Sequence, residues 1–325
     1  MSKCCVPHQK TFIMKLISFG LVLPVLVATL IFSSFSIAAQ DSADKDMQAV
    51  LDAQASLKPK PIEIFSPAEV RKHPTSADAV NVVPKKQGKN TAHETLVPRV
   101  VSVDRSIAGA AGKIRASACT HSGSGSFPVI FYHYGGDWVI GEKQVCDGGA
   151  CGLAKQASTV IVSADYRSTQ EHKLTAAWND TPPANKWTLA NAASINGDPK
   201  KLALKEESAG GNLTVATANA SVSLTSSTTE SHEKNANAKP LNQLTINCVD
   251  AKLVNSPSDL KDQRIQFTDA KLQGLPLVPI IISSIDPLLS DGVRSEDPLK
   301  KSRLQVEPKM YQVVTYNFFG MATVV

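Results

Sequence analysis

Ser208 lies in the run Glu206-Glu207-Ser208-Ala209-Gly210-Gly211-Asn212-Leu213. A strand-forming stretch, residues 201–206, enters it, and a helical pattern, residues 209–219, leaves it. A tight strand–serine–helix turn lifts a hydroxyl above a sheet. The helix that follows aims its first N–H groups, that of Ala209 among them, at any negative charge developing there. Read alone, the segment fits a serine capping a helix equally well. A second run, residues 128–141, takes a buried strand into Tyr134-Gly135-Gly136-Asp137-Trp138. Glycines there let backbone N–H groups approach a ligand closely, although a plain strand-to-loop turn has the same composition.

The elements that must position these residues alternate. Residues 100–107 and 113–119 read as strands around a turn at 109–112, and 128–134 and 159–166 as buried strands. Helices are expected over 143–156 and 174–192, the second kinked or restarted by Pro182 and Pro183. Later strands are expected at 277–284 and 312–316. Residues 220–240 and 255–264 read as irregular, with a short strand or helix at 244–249 between them. Strands alternating with helices predict an α/β fold, a mostly parallel sheet flanked by helices. Before it, residues 40–98 read as a small N-terminal helical cap and linker. Met47, Val50 and Leu51 share one helical face, Ser66 and Pro67 open another helix, and 58–61 and 84–89 are linker-like.

These segments, taken in order, resemble the bacterial hormone-sensitive-lipase-like carboxylesterases over most of residues 47–325. The likeness runs through Val160-Ile161-Val162-Ser163-Ala164-Asp165-Tyr166-Arg167, Glu171-His172-Lys173, Asn191-Ala192-Ala193, Gly197-Asp198-Pro199 and the Ser208 segment. It continues through Gly274-Leu275-Pro276, Ile285-Asp286-Pro287-Leu288 and Phe318-Phe319-Gly320-Met321. The resemblance implies an α/β-hydrolase fold and hydrolysis of short- to medium-chain esters through an acyl-enzyme, without a cofactor. It implies that Ser208 stands at the nucleophile, Asp286 at the acid that orients the base, and the N–H groups of Gly136, Asp137 and Ala209 at the oxyanion hole. Without it, Asp286-Pro287 reads as a turn.

The departures from that pattern bear on activity. The family histidine lies in a Thr-His-x-Phe-Phe-Gly segment, and this chain has Thr315-Tyr316-Asn317-Phe318-Phe319-Gly320, with no histidine after His232. A phenol is mostly protonated at neutral pH and exchanges protons poorly with a serine. His133 is one residue out of register on a strand, so alternation turns it to the opposite face. Tyr134 replaces the first residue of the family's His-Gly-Gly-Gly-Trp motif, and Asp137 its third glycine. Glu206 stands where the elbow has glycine, and strain or displacement is expected there. Each replacement can arise from one G·C-to-A·T codon change, a pattern of drift. An inner strand and a final helix of the family are expected to be missing. The reading is therefore an impaired or inactive esterase. A non-catalytic binder of a small acyl compound or protein, or an esterase using another base, remain alternatives.

The 325 residues are 42% hydrophobic and 19% charged, with net charge +5 and no long basic run, so nucleic-acid binding has no support. No Cys/His spacing predicts a metal. Lys3, Lys10 and Lys15 precede an apolar run over residues 16–32, then small residues at 36–39. That order predicts a signal peptide over residues 1–39 and export to the periplasm or medium, with membrane contact only through an uncleaved signal. Export makes disulfides possible, but a Cys146–Cys151 bridge within one helix is not expected. The hydrolase domain is expected over 99–325, and the partner is a small ester or acyl ligand.

Overall fold

The computed structural model describes residues 42–169, 171–217, 229–253, 255–256, 258–259, 262 and 277–321. The expected signal peptide, the segment Gly274-Leu275-Pro276 and parts of the two irregular stretches lie outside the described residues. The cap opens with α1 (Lys45–Ser56), whose first turn is closed by the Asp44 carboxylate accepting from Met47 N at 2.8 Å. Next come α2 (Pro67–Val70) and α3 (Ser76–Lys86), each started by a reciprocal capping box, Ser66 with Glu69 and Thr75 with Asp78. A single turn, α4 (His93–Leu96), leads into the sheet. Met47, Val50 and Ala53 of α1 bury against Ala79, Val80 and Val83 of α3 and against Val314 and Met321 near the far end of the chain. Residues 58–61 are irregular and exposed as expected, but Pro84, Lys85 and Lys86 are not linker: they form the last turn of α3. The two lysines there complement the negative end of the helix.

The main sheet contains β1 (Val100–Gly109), β2 (Gly112–His121), β3 (Phe127–His133), β4 (Val160–Ala164) and β5 (Gly197–Glu206), in the order β1-β2-β4-β3-β5. β1 and β2 form an antiparallel hairpin, β2 runs antiparallel to β4, and β4, β3 and β5 are parallel. α5 (Lys143–Ala157) and α6 (Ala176–Asn191) make the crossovers. Alternate residues of each strand feed two apolar layers. Tyr132 and Ile161 face Ala150 and Ala154 of α5, while Phe131, Val160 and Val162 face Ala184 of α6. This is why these strands read as unbroken apolar runs. A disulfide joins Cys119 on β2 to Cys151 on α5, both buried.

The helix is not restarted at Pro182 and Pro183; α6 runs through both. Pro182 cannot donate to the Trp178 carbonyl, but the Thr181 hydroxyl does so at 3.2 Å, which keeps that buried acceptor satisfied.

After the serine come α7 (Ala209–Thr217), α8 (Glu230–Lys234), α9 (Gln243–Leu253), β6 (Val278–Ile285), α10 (Leu289–Arg294), α11 (Glu296–Lys301) and β7 (Val306–Thr315), then a 3₁₀ turn, Phe318–Met321. α8, capped by the Thr229 hydroxyl, corrects the irregular reading of 220–240: a five-residue helix fits there because its cap and its inward Ser231 and His232 are buried. Residues 244–249 are helical. β6 and β7 pair in parallel as a separate sheet. Among the described residues no strand joins β5 to β6, the place where the sequence lacks an apolar run. No helix of the described residues is long and apolar enough to cross a membrane.

Candidate active site

β5 ends at Glu206, Glu207 N donates to the His133 carbonyl at 3.2 Å, and Ser208 follows with φ +54°. An ordinary helix-capping serine is extended, so the left-handed backbone decides for a strained elbow, at a cost of about 1–2 kcal/mol. α7 can start there only because residue 210 is glycine: a Cβ on it would lie 1.9 Å from the His133 carbonyl oxygen. Glu207 accepts the Tyr132 hydroxyl at 2.5 Å, which anchors the residue before the serine to β3. The strain expected at Glu206 is absent. Its backbone is not left-handed, the residue is exposed, and its side chain lies along Gly211 without crowding it.

The glycine loop meets the serine from the other side. A Cβ on Gly135 would lie 3.0 Å from Ser208 Cβ. Gly136 has φ +113°, and a Cβ there would lie 2.2 Å from Gly141 N, so the loop folds back on itself only with glycine at 136. Val139 N and Ile140 N both donate to the Gly136 carbonyl at 2.9 Å. Asp137 and Trp138 carry the left-handed backbone onward, with φ +53° and +58°. Tyr134 acts as a post: its hydroxyl donates to Asp165 at 2.9 Å, its carbonyl accepts the Tyr166 hydroxyl at 2.9 Å, and the two rings stack. Trp138 stacks on Trp178, whose indole N–H donates to Asn212 of α7 at 2.5 Å. The loop and the helix after the serine are thus braced against each other.

Asp286 follows β6 and is buried. Its carboxylate accepts the Ser283 hydroxyl at 2.9 Å and Leu288 N at 2.8 Å. Burial raises its pKa to about 6; the two hydrogen bonds oppose the rise and the charge of Asp291 adds to it. Tyr316 follows β7 and lies near enough to Ser208 for the serine hydroxyl to act on its phenol. Burial first, then the carboxylate of Asp137, push the phenol well above its ordinary pKa, with Glu207 and Asp286 adding and the Ser208 hydroxyl opposing. Ser208, Asp286, Tyr316, Asp137 and the glycine loop therefore share one locus. The charge of Asp137 is felt there.

Among the described residues, the groups that act most on Tyr316 include no imidazole. His133 is buried edge-on against Phe131, in the layer behind β3, and burial lowers its pKa to about 3. His232, the other buried imidazole near this end, lies 3.2 Å from Asp291 and holds α8 against α10. Sequence reasoning missed Glu207, Tyr132 and Ser283 as supports. Only Glu207 carried a signal, its position beside the serine.

The profile of a family described as alpha/beta hydrolase fold matches residues 129–320. The chain is 28% identical over 221 residues to Carboxylesterase NlhH of Mycobacterium tuberculosis, covering 62% of this chain and 69% of that protein. It is 27% identical over 253 residues to Esterase LipI of the same organism, covering 70% and 78%. Among solved structures it is similar to a hyperthermophilic esterase from the archaeon Pyrobaculum calidifontis, with TM-score 0.72 and 24% identity over 87% of this chain and 93% of that one. A thermostable esterase from Pseudomonas putida superposes with TM-score 0.71 and 20% identity, covering 87% and 91%. With a family match across most of the chain and an elbow, glycine loop and acid turn in matching order, the chain belongs to the alpha/beta hydrolase fold family and is related to its carboxylesterases.

Proposed function

We propose that the chain carries an ester-hydrolase site around Ser208 that is impaired because Tyr316 occupies the place of the base. In the proposed chemistry the Ser208 hydroxyl attacks the carbonyl carbon of a small ester. The developing oxyanion is met by the N–H groups of Gly136, Asp137 and Ala209, an alcohol leaves, and water later releases the acid. The attack needs a group that takes the serine proton and returns it to the leaving alcohol. The observation that carries the reading is that the residue acting beside Ser208 is Tyr316, a buried phenol whose surroundings hold its proton more firmly than water does. Asp286 is placed to orient a base at 316, but a phenol does not use that help. The carboxylate of Asp137 further opposes negative charge in the site. The mechanism requires no cofactor. Export is part of the proposal, supported by the Cys119–Cys151 disulfide, since such bonds persist in oxidising compartments.

Hydrolysis of p-nitrophenyl butyrate tests this. Tyr316→His is expected to raise kcat/KM at least about 100-fold over the parent protein, since triad members typically carry several orders of magnitude. Ser208→Ala in that background abolishes the gain. Serine-dependent turnover by the parent protein equal to that of Tyr316→His would show that another base serves Ser208 and would overturn the proposal.

A further inference from the structure

The glycine loop is held by three of its carbonyl oxygens. Tyr134 O accepts the Tyr166 hydroxyl, and Trp138 O accepts Thr169 N at 2.7 Å and the Thr169 hydroxyl at 3.1 Å. Both donors belong to the chain segment just after β4. The third carbonyl, Val139 O, is held from the cap. Arg71, the residue that closes α2, donates to it from Nε at 3.0 Å and from Nη2 at 2.7 Å. The same guanidinium grips Glu171 with Nη1 at 2.7 Å and Nη2 at 3.1 Å. The Arg71 side chain is only 17% exposed. A planar fork that satisfies a carbonyl and a carboxylate together fixes both partners in direction as well as distance, which a lysine cannot do. Val139 is also the residue whose N–H closes the tight turn onto Gly136, so a pull on its carbonyl acts on the turn that aims the N–H groups of residues 136 and 137.

We infer that Arg71 is a positioning residue: it clips the N-terminal cap to the glycine loop and thereby sets the oxyanion-hole geometry, so that docking of the cap and assembly of that hole are one event. The inference rests on the ester-hydrolase reading for its catalytic consequence, but the clip itself does not. Arg71 touches no reacting atom. A displacement of donors by about 1 Å can cost about 100-fold in rate.

Two measurements test it. In the Tyr316→His protein, Arg71→Met is expected to lower kcat for p-nitrophenyl butyrate about 10- to 100-fold with KM changed less than about threefold, and Arg71→Lys to recover part of the loss. In the parent protein, Arg71→Met is expected to speed hydrogen exchange at the Val139 and Ile140 amides at least about tenfold, with exchange in β3 and β4 unchanged. Unchanged exchange at Val139 and Ile140 would overturn the clip. Faster exchange with an unchanged kcat would overturn its role in positioning while leaving the esterase reading intact. A Tyr316→His protein with no serine-dependent turnover would instead sink the esterase reading, and with it the catalytic consequence.

Discussion

Replacing Asp286 by asparagine should change how stability depends on pH, and the size follows from the burial of the acid. The carboxyl titrates at about 6 in the folded chain against an ordinary 3.8. The folded state therefore binds a proton more tightly than the unfolded chain does. Stability from this group is fully present below pH 3.8 and is lost as pH rises through about 6. Two pH units at about 1.4 kcal/mol each make the loss about 3 kcal/mol, an order-of-magnitude figure. Asp286→Asn keeps a similar shape with no charge to bury. Denaturant unfolding at pH 3 and pH 7, read as the difference between variant and parent, should show the asparagine protein gaining about 3 kcal/mol relative to the parent across that interval. Differences cancel the titration of other groups. In Tyr316→His the effect should shrink, because an imidazolium beside Asp286 favours its ionised form and moves its pKa back down. Parallel pH curves for Asp286→Asn and the parent protein would refute the reasoning, since they would mean that the buried carboxyl costs the fold nothing at neutral pH.

Glu206→Gly should change unfolding free energy by less than about 1 kcal/mol, because the glutamate lies exposed beside Gly211 and carries no left-handed backbone; a gain of several kcal/mol on restoring the family glycine would show that strain exists there after all. Thr181→Val should destabilise the protein by about 1–3 kcal/mol in the same assay, since the buried Trp178 carbonyl loses the donor that stands in for the N–H of Pro182, and a neutral result would contradict that account of the unbroken helix.

The strand and helix alternation was legible along the chain because each apolar run in β3 and β4 is buried on both faces, and burial of that kind leaves its period in the residues themselves. The grouping of Tyr316 with Ser208 and Asp286 came only from the resemblance to the carboxylesterases; without it Asp286-Pro287 reads as a turn. The opposite facing of His133 followed from strand alternation, a purely local property. What only the folded chain decided were partnerships between distant residues. Arg71 reaches Val139 across 68 positions, Tyr132 reaches Glu207 across 75, and Cys119 meets Cys151. The Thr181 hydroxyl turns back to the Trp178 carbonyl that Pro182 cannot reach, and Glu206 is exposed at the end of its strand. Asp137 acts on Tyr316 because the fold brings the glycine loop and the end of β7 together. Local sequence reports which residues leave water. Which groups then meet depends on how the layers dock, and hydrogen bonds and charges are settled at distances that no local pattern encodes.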